Sequence, residues 1–569
     1  MTAKEKLRNL AQDKIVLFLL FAILALGIFV RVYDYNKVGI WNDDTSTIPT
    51  GLLWFYNHNY YPGLSGQGEP ALGNLLVGAG CMLSGEDFSN VEKIIPMYYA
   101  GREALLGNPI TKAIGYCRMP SVLFGIMLLF AVALLALVMF DKYAMLLSTA
   151  FYAFYPPLIQ FSTFTHVDVF AYFFIAASLA MLYMFYTAQS GTAREKAFFA
   201  TAVLFASLAF GTKLPNAAYI IFAFLLLAEK NIGTIKLWLG RTLDLSFVNK
   251  EGEMNAKPLL ENLAIGAAVA LTTVYLAFEF SFRNVIEVIG KYRTQSTVEL
   301  ATFGFNPRFF ELIYNFFFSA NVLDIILFLL SLYLVAKLAI HFKELHKNER
   351  FLLYLYGMFI AINLTMTTFE IIRVMIMFSF PIIIAMALLF SSRYSPIPSD
   401  KRRLIALPLI LAYLVVAGGI ALSISPHFMS CNAMLKPFTP DKCLENYGHT
   451  ATKQIAAKLK PMMAENETFV NMEGILFYYV RPEQGQQHLQ LREELRQRLG
   501  RMPTIEEKIK YFSYPGRTIR YVLAEPNARE DDPFIKNLLL LYEPNEIAYL
   551  KKWPVAYIYD LKSLKEKTR

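Results

Sequence analysis

Residues 14–45 read KIVLFLLFAILALGIFVRVYDYNKVGIWNDDT, and the class of the protein follows from this segment. Its first part, Lys14–Val30, is apolar after the first residue, and a helix needs about 20 such residues to cross a bilayer. An acidic pair, Asp43-Asp44, follows this run within a long, mixed polar loop from Arg31 to about residue 115. Two carboxylates just beyond a first membrane span suggest chemistry at the membrane surface.

The rest of the chain has the same apolar character. Of its 569 residues, 56% are hydrophobic and 17% are charged, which excludes an ordinary soluble enzyme. The apolar runs are continuous rather than alternating, so helices and not a β-barrel satisfy the backbone in lipid. We expect a polytopic α-helical membrane protein with about eleven spans, near residues 14–32, 116–140, 142–160, 166–188, 196–211, 214–229, 260–281, 311–340, 350–368, 371–391 and 403–424.

The distribution of Lys and Arg predicts the orientation of these spans. The N-terminal tail and the loops 230–257, 341–350 and 393–403 are rich in both residues and fall on one side, which the positive-inside rule marks as cytoplasmic. The loops 31–115 and 282–310 and everything after about residue 425 then face outward. No small-residue cleavage site follows the first run, so we expect a retained span in a multi-pass protein of the plasma or inner membrane. The net charge of +9 reflects this bias rather than nucleic-acid binding.

Two domains are expected. Residues 1–424 form the membrane domain, and residues 425–569, which lack a spanning run and are rich in charge, form a small extracytoplasmic α/β domain. Within the first outer loop, 47–57 and 71–84 are apolar but too short to span, and they suit helices lying in the membrane interface. In the second domain, strands are predicted at 469–480, 518–524 and 555–559, and helices at 450–460, 506–512 and 532–541.

Three acidic residues of the first outer loop are candidates for a site. Asp43 or Asp44 would act as a general base on an acceptor hydroxyl, because a neighbouring carboxylate and the low-dielectric membrane raise the pKa of such a group. A solvated turn or a helix N-cap also explains this pair. Glu69, which precedes Pro70, is either a site residue or an acid favoured by the dipole of the next helix.

Further polar residues collect at the predicted outer ends of the spans. His166 and Asp168 open the fourth span, and Lys213 lies in the short turn between the fifth and sixth. Glu370 and Arg373 frame the turn between the ninth and tenth spans. Charges at such positions are costly unless they are paired or functional.

The outer loop after the seventh span adds basic residues, among them Arg283 and Arg293. Snorkelling to the interface explains these and Lys213 about as well as function does. Because the positive-inside rule disfavours Lys and Arg on the outer side, their gathering there favours an anionic ligand, most simply a lipid phosphate. A base, several cations and interfacial helices would suit an enzyme with a lipid-linked phosphate donor, since Lys and Arg stabilise a departing phosphate.

The four cysteines, Cys81, Cys117, Cys431 and Cys443, all map to the outer side or its edge. Cys431 and Cys443 lie twelve residues apart in one outer segment and could form a disulfide, or both could be reduced. No Cys/His spacing typical of a metal site occurs, and no cofactor is predicted with certainty. Whether a divalent cation, Mg²⁺ or Mn²⁺, takes part is left open.

Seven segments are informative as an ordered set over about the first 440 residues. They are Asn42-Asp43-Asp44, Glu69-Pro70-Ala71-Leu72-Gly73, Arg118-Met119-Pro120-Ser121, Thr165-His166-Val167-Asp168, Thr212-Lys213, the segment 373–381 and the segment 426–432. In this order they resemble motifs of the GT-C superfamily of membrane glycosyltransferases. The resemblance is closest to the branch of protein O-mannosyltransferases and aminoarabinose transferases, which use polyprenyl-phosphate sugars.

The resemblance implies a GT-C-like fold and an inverting transfer of one sugar from a polyprenyl phosphate to a protein, lipid or glycan hydroxyl. By the same resemblance, Asp43 is the base with Asp44 beside it, and Lys213 and Arg373 hold the donor phosphate. Asp44 replaces the usual Glu and one of two expected prolines is missing after Glu69, which leaves donor and acceptor open. The outer domain has no Trp-Trp-Asp pattern, so an oligosaccharyltransferase catalytic subunit is not expected.

Two other classes fit parts of the sequence. A lipid transporter or flippase would place charges near the bilayer midplane and show inverted repeats, whereas here the charges lie at one face and no repeat is found. A non-catalytic lipid-binding member of the same fold would have no need of Asp43 and Asp44. The sequence does not reveal the sugar, the acceptor or the oligomeric state.

Overall fold

The computed structural model is mostly helical in the part of the chain that it describes. Among the described residues, every strand lies after residue 466. The described residues are 3–33, 35, 44–57, 71–89, 108–232, 235, 256–278, 281, 283–289, 322–365, 388–390, 392, 394–398, 401–423, 452–470, 476, 480, 491, 494–501, 503–512, 516–524, 532–550 and 553–566.

All regular elements described in the first 423 residues are helices. The helices are α1 (Ala3–Gln12), α2 (Lys14–Val32), α3 (Asp44–Asn57), α4 (Ala71–Met82), α5 (Asn108–Met139), α6 (Lys142–Phe154), α7 (Pro156–Thr163), α8 (Val167–Thr187), α9 (Ala193–Thr212), α10 (Ala217–Lys230), α11 (Lys257–Ala277), α12 (Val322–Ile340), α13 (Lys347–Thr365) and α14 (Arg402–Ser423). Two short 3₁₀ turns, Leu214–Asn216 and Phe342–Glu344, precede α10 and α13.

Five of the described helices are long and apolar enough to cross a membrane. They are α2, the part of α5 from Lys112 to Met139, α8, α9 and α11, and each coincides with a predicted span. The chain is therefore a multi-pass membrane protein, while the sidedness of its termini stays a prediction. The predicted interfacial segments 47–57 and 71–84 are helical in the structure as α3 and α4.

Three predicted spans differ from the structure or fall outside it. The segment 142–160 is not one helix but two, α6 and α7, which are interrupted at Tyr155. The segment 214–229 opens with a 3₁₀ turn, which leaves 14 residues for α10. Most of the predicted span 371–391 lies outside the described residues, and the total of about eleven spans stays a prediction.

Side-chain caps fix where several helices begin. The Asp13 carboxylate accepts a hydrogen bond from the Val16 N–H at the start of α2, and Asp141 accepts from two N–H groups at the start of α6. Thr192 caps α9 by accepting from the Glu195 N–H. Such caps satisfy N–H groups that have no partner within the helix. From Ala144 to Phe154 every residue of α6 is buried, so α6 lies in the interior of the bundle.

The break between α6 and α7 is explained by two prolines. Pro156 and Pro157 have no N–H, so the carbonyls of Tyr152 and Ala153, four residues earlier, lose their helical donors. The guanidinium of Arg31, on α2, donates to both carbonyls, at 2.8 and 2.9 Å. Arg31 is fully buried, and the partners described for its guanidinium are backbone oxygens.

Helices α3 and α4 pack against each other at two glycines. A Cβ on Gly78 would lie 2.5 Å from backbone atoms of Gly51, and a Cβ on Gly51 would overlap the backbone of Asn74. Only glycine permits this approach, as at other close helix crossings. A disulfide between Cys81 and Cys117 then joins α4 to α5, a pairing that the sequence did not predict. Cys431 and Cys443 lie outside the described residues, so their pairing stays a prediction.

The C-terminal residues form a four-stranded sheet with flanking helices. The sheet contains β1 (Glu467–Val470), β2 (Thr518–Ala524), β4 (Glu546–Leu550) and β5 (Trp553–Asp560) in the order β1-β2-β5-β4, and only the β1–β2 pair is parallel. A second pair joins β3 (Tyr542–Glu543) to β6 (Lys565–Glu566). The helices are α15 (Thr452–Met462), α16 (Ile505–Tyr511) and α17 (Pro533–Leu541). The predicted helices and the strands at 518–524 and 555–559 agree with these elements. The strand predicted at 469–480 is wrong beyond Val470, since β1 ends there and the described residues 476 and 480 are helical. Strands β3, β4 and β6 were missed.

One arginine side chain links three strands of this sheet by hydrogen bonds to carboxylates. Arg520, on β2, donates to both carboxylate oxygens of Asp560 on β5, at 2.9 and 2.7 Å, and also to Glu467 on β1. These hydrogen bonds favour the ionised carboxylates. The Arg520 guanidinium therefore lowers the pKa of Asp560 to about 2 and also lowers the pKa of Glu467.

Candidate functional site

Two neighbouring helices place three of the predicted site residues together. His166 is the N-cap residue of α8 and Asp168 lies in its first turn, where the helix dipole favours a negative charge. Lys213 is the C-cap residue of α9, which ends there because Pro215 follows. Since α8 and α9 are joined by a short loop and pack antiparallel, the start of one lies beside the end of the other.

These three side chains form what we call the Asp168 cluster. The Asp168 carboxylate accepts a hydrogen bond from the Lys213 ammonium through one oxygen and lies 2.8 Å from His166 Nδ1 through the other. Asp168 is fully buried, and Lys213 is only 7% exposed. Burying such a pair costs a large desolvation free energy, so it is weak evidence for stability and a reason to look for function.

Uncharged and aromatic groups surround the cluster. The ring of Phe161, on α7, lies edge-on to the His166 ring with 4.2 Å between centroids. Beyond Lys213, Asn216 donates through Nδ2 to the carbonyl of Ala209 at 3.1 Å, and Thr212 donates to the same carbonyl. These bonds fix the turn that carries Lys213.

The first residues of α4 lie against both helices of the cluster. A Cβ on Gly73 would be 2.7 Å from the Val167 side chain, and a Cβ on Gly211 would be 3.6 Å from Leu72. Val167 lies between His166 and Asp168 in the chain, and Gly211 lies two residues before Lys213. Helix α4 therefore begins at the Asp168 cluster.

The remaining predicted site residues are not brought to the cluster by described contacts. Asp44 is the first residue of α3, and its side chain is not described. Arg283 is 86% exposed at its side chain and pairs with Glu287, with 2.9 Å between Nε and Oε1. The predicted residues that lie outside the described part of the chain are Asp43, Glu69, Arg293, Glu370 and Arg373. Their predicted roles stay predictions.

Two buried arginines near this region were missed as site or structural residues. Arg31 solvates the carbonyls freed by Pro156 and Pro157, and the Pro-Pro pair was the available signal. Arg118 is fully buried, donates to the Tyr35 carbonyl at 3.2 Å and lies with its guanidinium carbon 4.9 Å from the centroid of the Phe164 ring. Sequence showed Arg118 only as part of a motif.

Among the described residues, no group of three or more His, Cys, Asp and Glu side chains is placed to hold a metal ion. The cluster instead offers a buried ammonium, a carboxylate and an imidazole. Its ammonium is a cation that can interact with an anionic ligand.

No protein-family model and no curated protein matches the chain. Solved structures show distant similarity. The apo structure of ArnT from Cupriavidus metallidurans is 13% identical over 94% of this chain and 97% of that one, with a TM-score of 0.44. The apo oligosaccharyltransferase of Archaeoglobus fulgidus is 15% identical over 93% of this chain and 73% of that one, also at 0.44.

The S. cerevisiae protein O-mannosyltransferase complex Pmt1-Pmt2, bound to its sugar donor, is 12% identical over 48% of this chain with a TM-score of 0.35. The match covers 34% of that structure's own length. All three neighbours are glycosyltransferases of the GT-C superfamily that the sequence resembles. All three TM-scores lie below 0.5.

Proposed function

We propose that the chain is an inverting membrane glycosyltransferase of the GT-C type. It transfers a sugar from a polyprenyl-phosphate donor to a hydroxyl of a protein, lipid or glycan acceptor on the outer face of the membrane. The observation that supports this best is the Asp168 cluster, a lysine held in a buried ion pair where two helices end beside α4. The ordered motifs of the sequence add support.

The reaction follows from the proposed roles. Asp43 removes the proton of the acceptor hydroxyl, and the oxygen attacks the anomeric carbon of the donor sugar. The bond between that carbon and the phosphate oxygen breaks, its electron pair leaves with the polyprenyl phosphate, and the configuration of the carbon inverts. No acid is needed, because the phosphate leaves as an anion.

Lys213 is proposed to stabilise the phosphate as it departs. In the resting protein its charge is balanced by Asp168. A preorganised cation in a site shielded from water stabilises developing negative charge without reorganisation during the reaction. Asp168 and His166 hold the ammonium in place until the donor arrives, and Arg373 is proposed as the second phosphate ligand.

The donor class is proposed partly from structural neighbours. ArnT from C. metallidurans has been crystallised bound to undecaprenyl phosphate, and AglB from A. fulgidus has been solved with a dolichol-phosphate and an inhibitory peptide. Both ligands are polyprenyl-type phosphates. Which sugar and which acceptor this chain uses is for experiment to identify.

The decisive experiment offers purified protein a panel of radiolabelled polyprenyl-phosphate sugars together with membrane acceptors. We expect transfer from at least one donor. Asp43→Asn should lower turnover about 100-fold or more, since a general base contributes roughly that factor. Lipid binding should stay intact. Absence of transfer from every donor by folded protein would overturn the proposal, and a flippase or a non-catalytic lipid-binding protein would be unaffected by Asp43→Asn.

A further inference from the structure

The turn between α7 and α8 connects the Asp168 cluster to the C-terminal part of the chain. Phe164 lies in this turn, two residues before His166, and is fully buried. It belongs to one buried apolar cluster whose other members come from α15, the sheet and nearby C-terminal residues, among them Ile455, Leu459 and Phe469. Among the described residues, Phe164 is the one member of that apolar cluster from the first 454 residues.

The Phe164 ring also contacts Arg118. The guanidinium carbon lies 4.9 Å from the ring centroid, a distance typical of a cation–π contact. Arg118 directly follows Cys117, whose disulfide to Cys81 fixes this part of α5 to α4. Phe164 thus contacts both Arg118, in a part of α5 that the disulfide joins to α4, and the C-terminal residues of the apolar cluster.

Phe164 lies only two residues before His166, so its contacts are connected to the Asp168 cluster through a short stretch of chain. The His166 N–H donates to the carbonyl of Phe164 at 2.9 Å, which leaves this turn little freedom. His166 contacts Asp168, and Asp168 contacts Lys213. A shift of Phe164 would therefore be transmitted through His166 to Asp168, the ion-pair partner of Lys213.

We infer that Phe164 is a positioning residue through which the C-terminal part of the chain holds the Asp168 cluster closed and Lys213 shielded from water. This inference deepens the proposed function. Of its two tests, only the sugar-transfer assay depends on the proposed function. Its structural readout, the exposure of Lys213, is independent of any activity.

The test is native amine labelling of full-length protein with an acylating reagent, read by mass spectrometry as the ratio of Lys213 to Lys112. Lys112 is 62% exposed at its side chain and serves as an internal reference. For Phe164→Ala we expect the ratio to rise at least about fivefold, because local opening exposes a buried amine. For Phe164→Leu, which keeps an apolar side chain of similar volume, it should stay within about twofold.

Two further variants distinguish a specific effect on Lys213 exposure from a general loss of packing in the protein. Leu459→Ala removes apolar volume from the C-terminal side of the same apolar cluster and should also raise the ratio, even if Phe164→Ala fails to fold. Phe351→Ala truncates an equally buried aromatic that packs on Tyr183 and Phe222, away from the turn, and should leave the ratio unchanged. An unchanged ratio in Leu459→Ala, or an equal rise in Phe351→Ala, would overturn the inference.

The transfer assay distinguishes failure of the inference from failure of the proposed function. With an active donor, Phe164→Ala should lower kcat/KM about tenfold, mainly through kcat, because Lys213 is proposed to act on the departing phosphate, and Phe164→Leu should restore it. A raised labelling ratio in a protein that never transfers sugar would defeat the proposed function alone. Full transfer with unchanged labelling in Phe164→Ala would defeat this inference alone.

Discussion

At the scale of single residues, the buried pair of Asp168 and Lys213 is the feature with the sharpest energetic signature. Each charge is tolerated only because the other is present, and removing one partner from a buried pair costs about 3–5 kcal/mol. We predict that Asp168→Asn and Lys213→Met each lower the thermal midpoint of the detergent-solubilised protein. The double variant should recover more than half of that loss, because it leaves no unpaired charge.

The control for this prediction is an exposed pair in the same chain. Lys458 and Glu546 lie 3.3 Å apart and are both about half exposed, so Lys458→Met should shift the midpoint hardly at all. Strictly additive losses in the double variant at Asp168 and Lys213 would contradict the prediction.

Arg31 supports a second prediction at this scale. Its guanidinium satisfies the carbonyls of Tyr152 and Ala153 where the helix is interrupted, and each buried carbonyl left without a donor costs about 1–3 kcal/mol. We expect Arg31→Met to lower the temperature at which the protein survives heating and gel filtration, and Arg31→Lys to recover part of the loss. Arg283→Gln, which removes only an exposed pair, is the matched control. Equal survival of Arg31→Met and wild type would show that other donors reach these carbonyls.

The sequence predicted His166, Asp168 and Lys213 as candidates, and the structure joins them. These residues could be predicted because a charged side chain near lipid has a high free-energy cost, so each one stands out in an apolar sequence. Arg31 and Arg118 were not recognised, because the groups they bind are a backbone oxygen or an aromatic face far away in the chain. Tyr152 lies 121 residues from Arg31, and no local pattern records that contact.

At the scale of secondary structure elements, the C-terminal sheet has a pH dependence that follows from Arg520. Both carboxylates bound by Arg520 have lowered pKa values in the folded state, that of Asp560 to about 2. A carboxyl group with a lowered pKa adds stability above its unfolded pKa and loses it as the pH falls towards the folded pKa. We therefore predict that the sheet loses stability between about pH 4 and pH 2.

Trp553, in the sequence of β5, provides the measurement in a background whose other three tryptophans are replaced by Phe, with its fluorescence followed through a denaturant titration at each pH. Arg520→Met should weaken the sheet at pH 7 and flatten the loss of stability between pH 4 and pH 2. A variant with the same acid slope as wild type would show that other groups govern the transition.

Elements were predicted best where the sequence has a continuous apolar run. The five long apolar helices and the interfacial pair α3 and α4 were all found in this way. The break between α6 and α7 was missed because apolar content was weighed above the prolines at 156 and 157. Strand β4 was missed because its sequence, Glu546–Leu550, mixes charged and apolar residues, and its place depends on pairing with β5.

At the scale of the whole molecule, orientation in the membrane is the property that can be tested most directly. The positive-inside rule places Lys343 in the cytoplasm and both Lys112 and Lys458 outside. All three are exposed, so an impermeant amine reagent applied to intact cells should label Lys112 and Lys458 and spare Lys343. Permeabilised cells should label all three. Labelling of Lys343 in intact cells would reverse the predicted topology.

The disulfide between Cys81 and Cys117 has a consequence for how the protein is made. Thiols of this kind are oxidised outside the reducing cytoplasm, so the bond can close only after both cysteines have been exported. At about 5–20 residues per second, a ribosome needs roughly 5–19 s to add the residues from Cys117 to the end of α9, so a disulfide that closes within a few seconds of export forms first. The disulfide can therefore join α4 to α5 before α8 and α9 have been synthesised. These later helices would then pack against a helix pair that is already cross-linked.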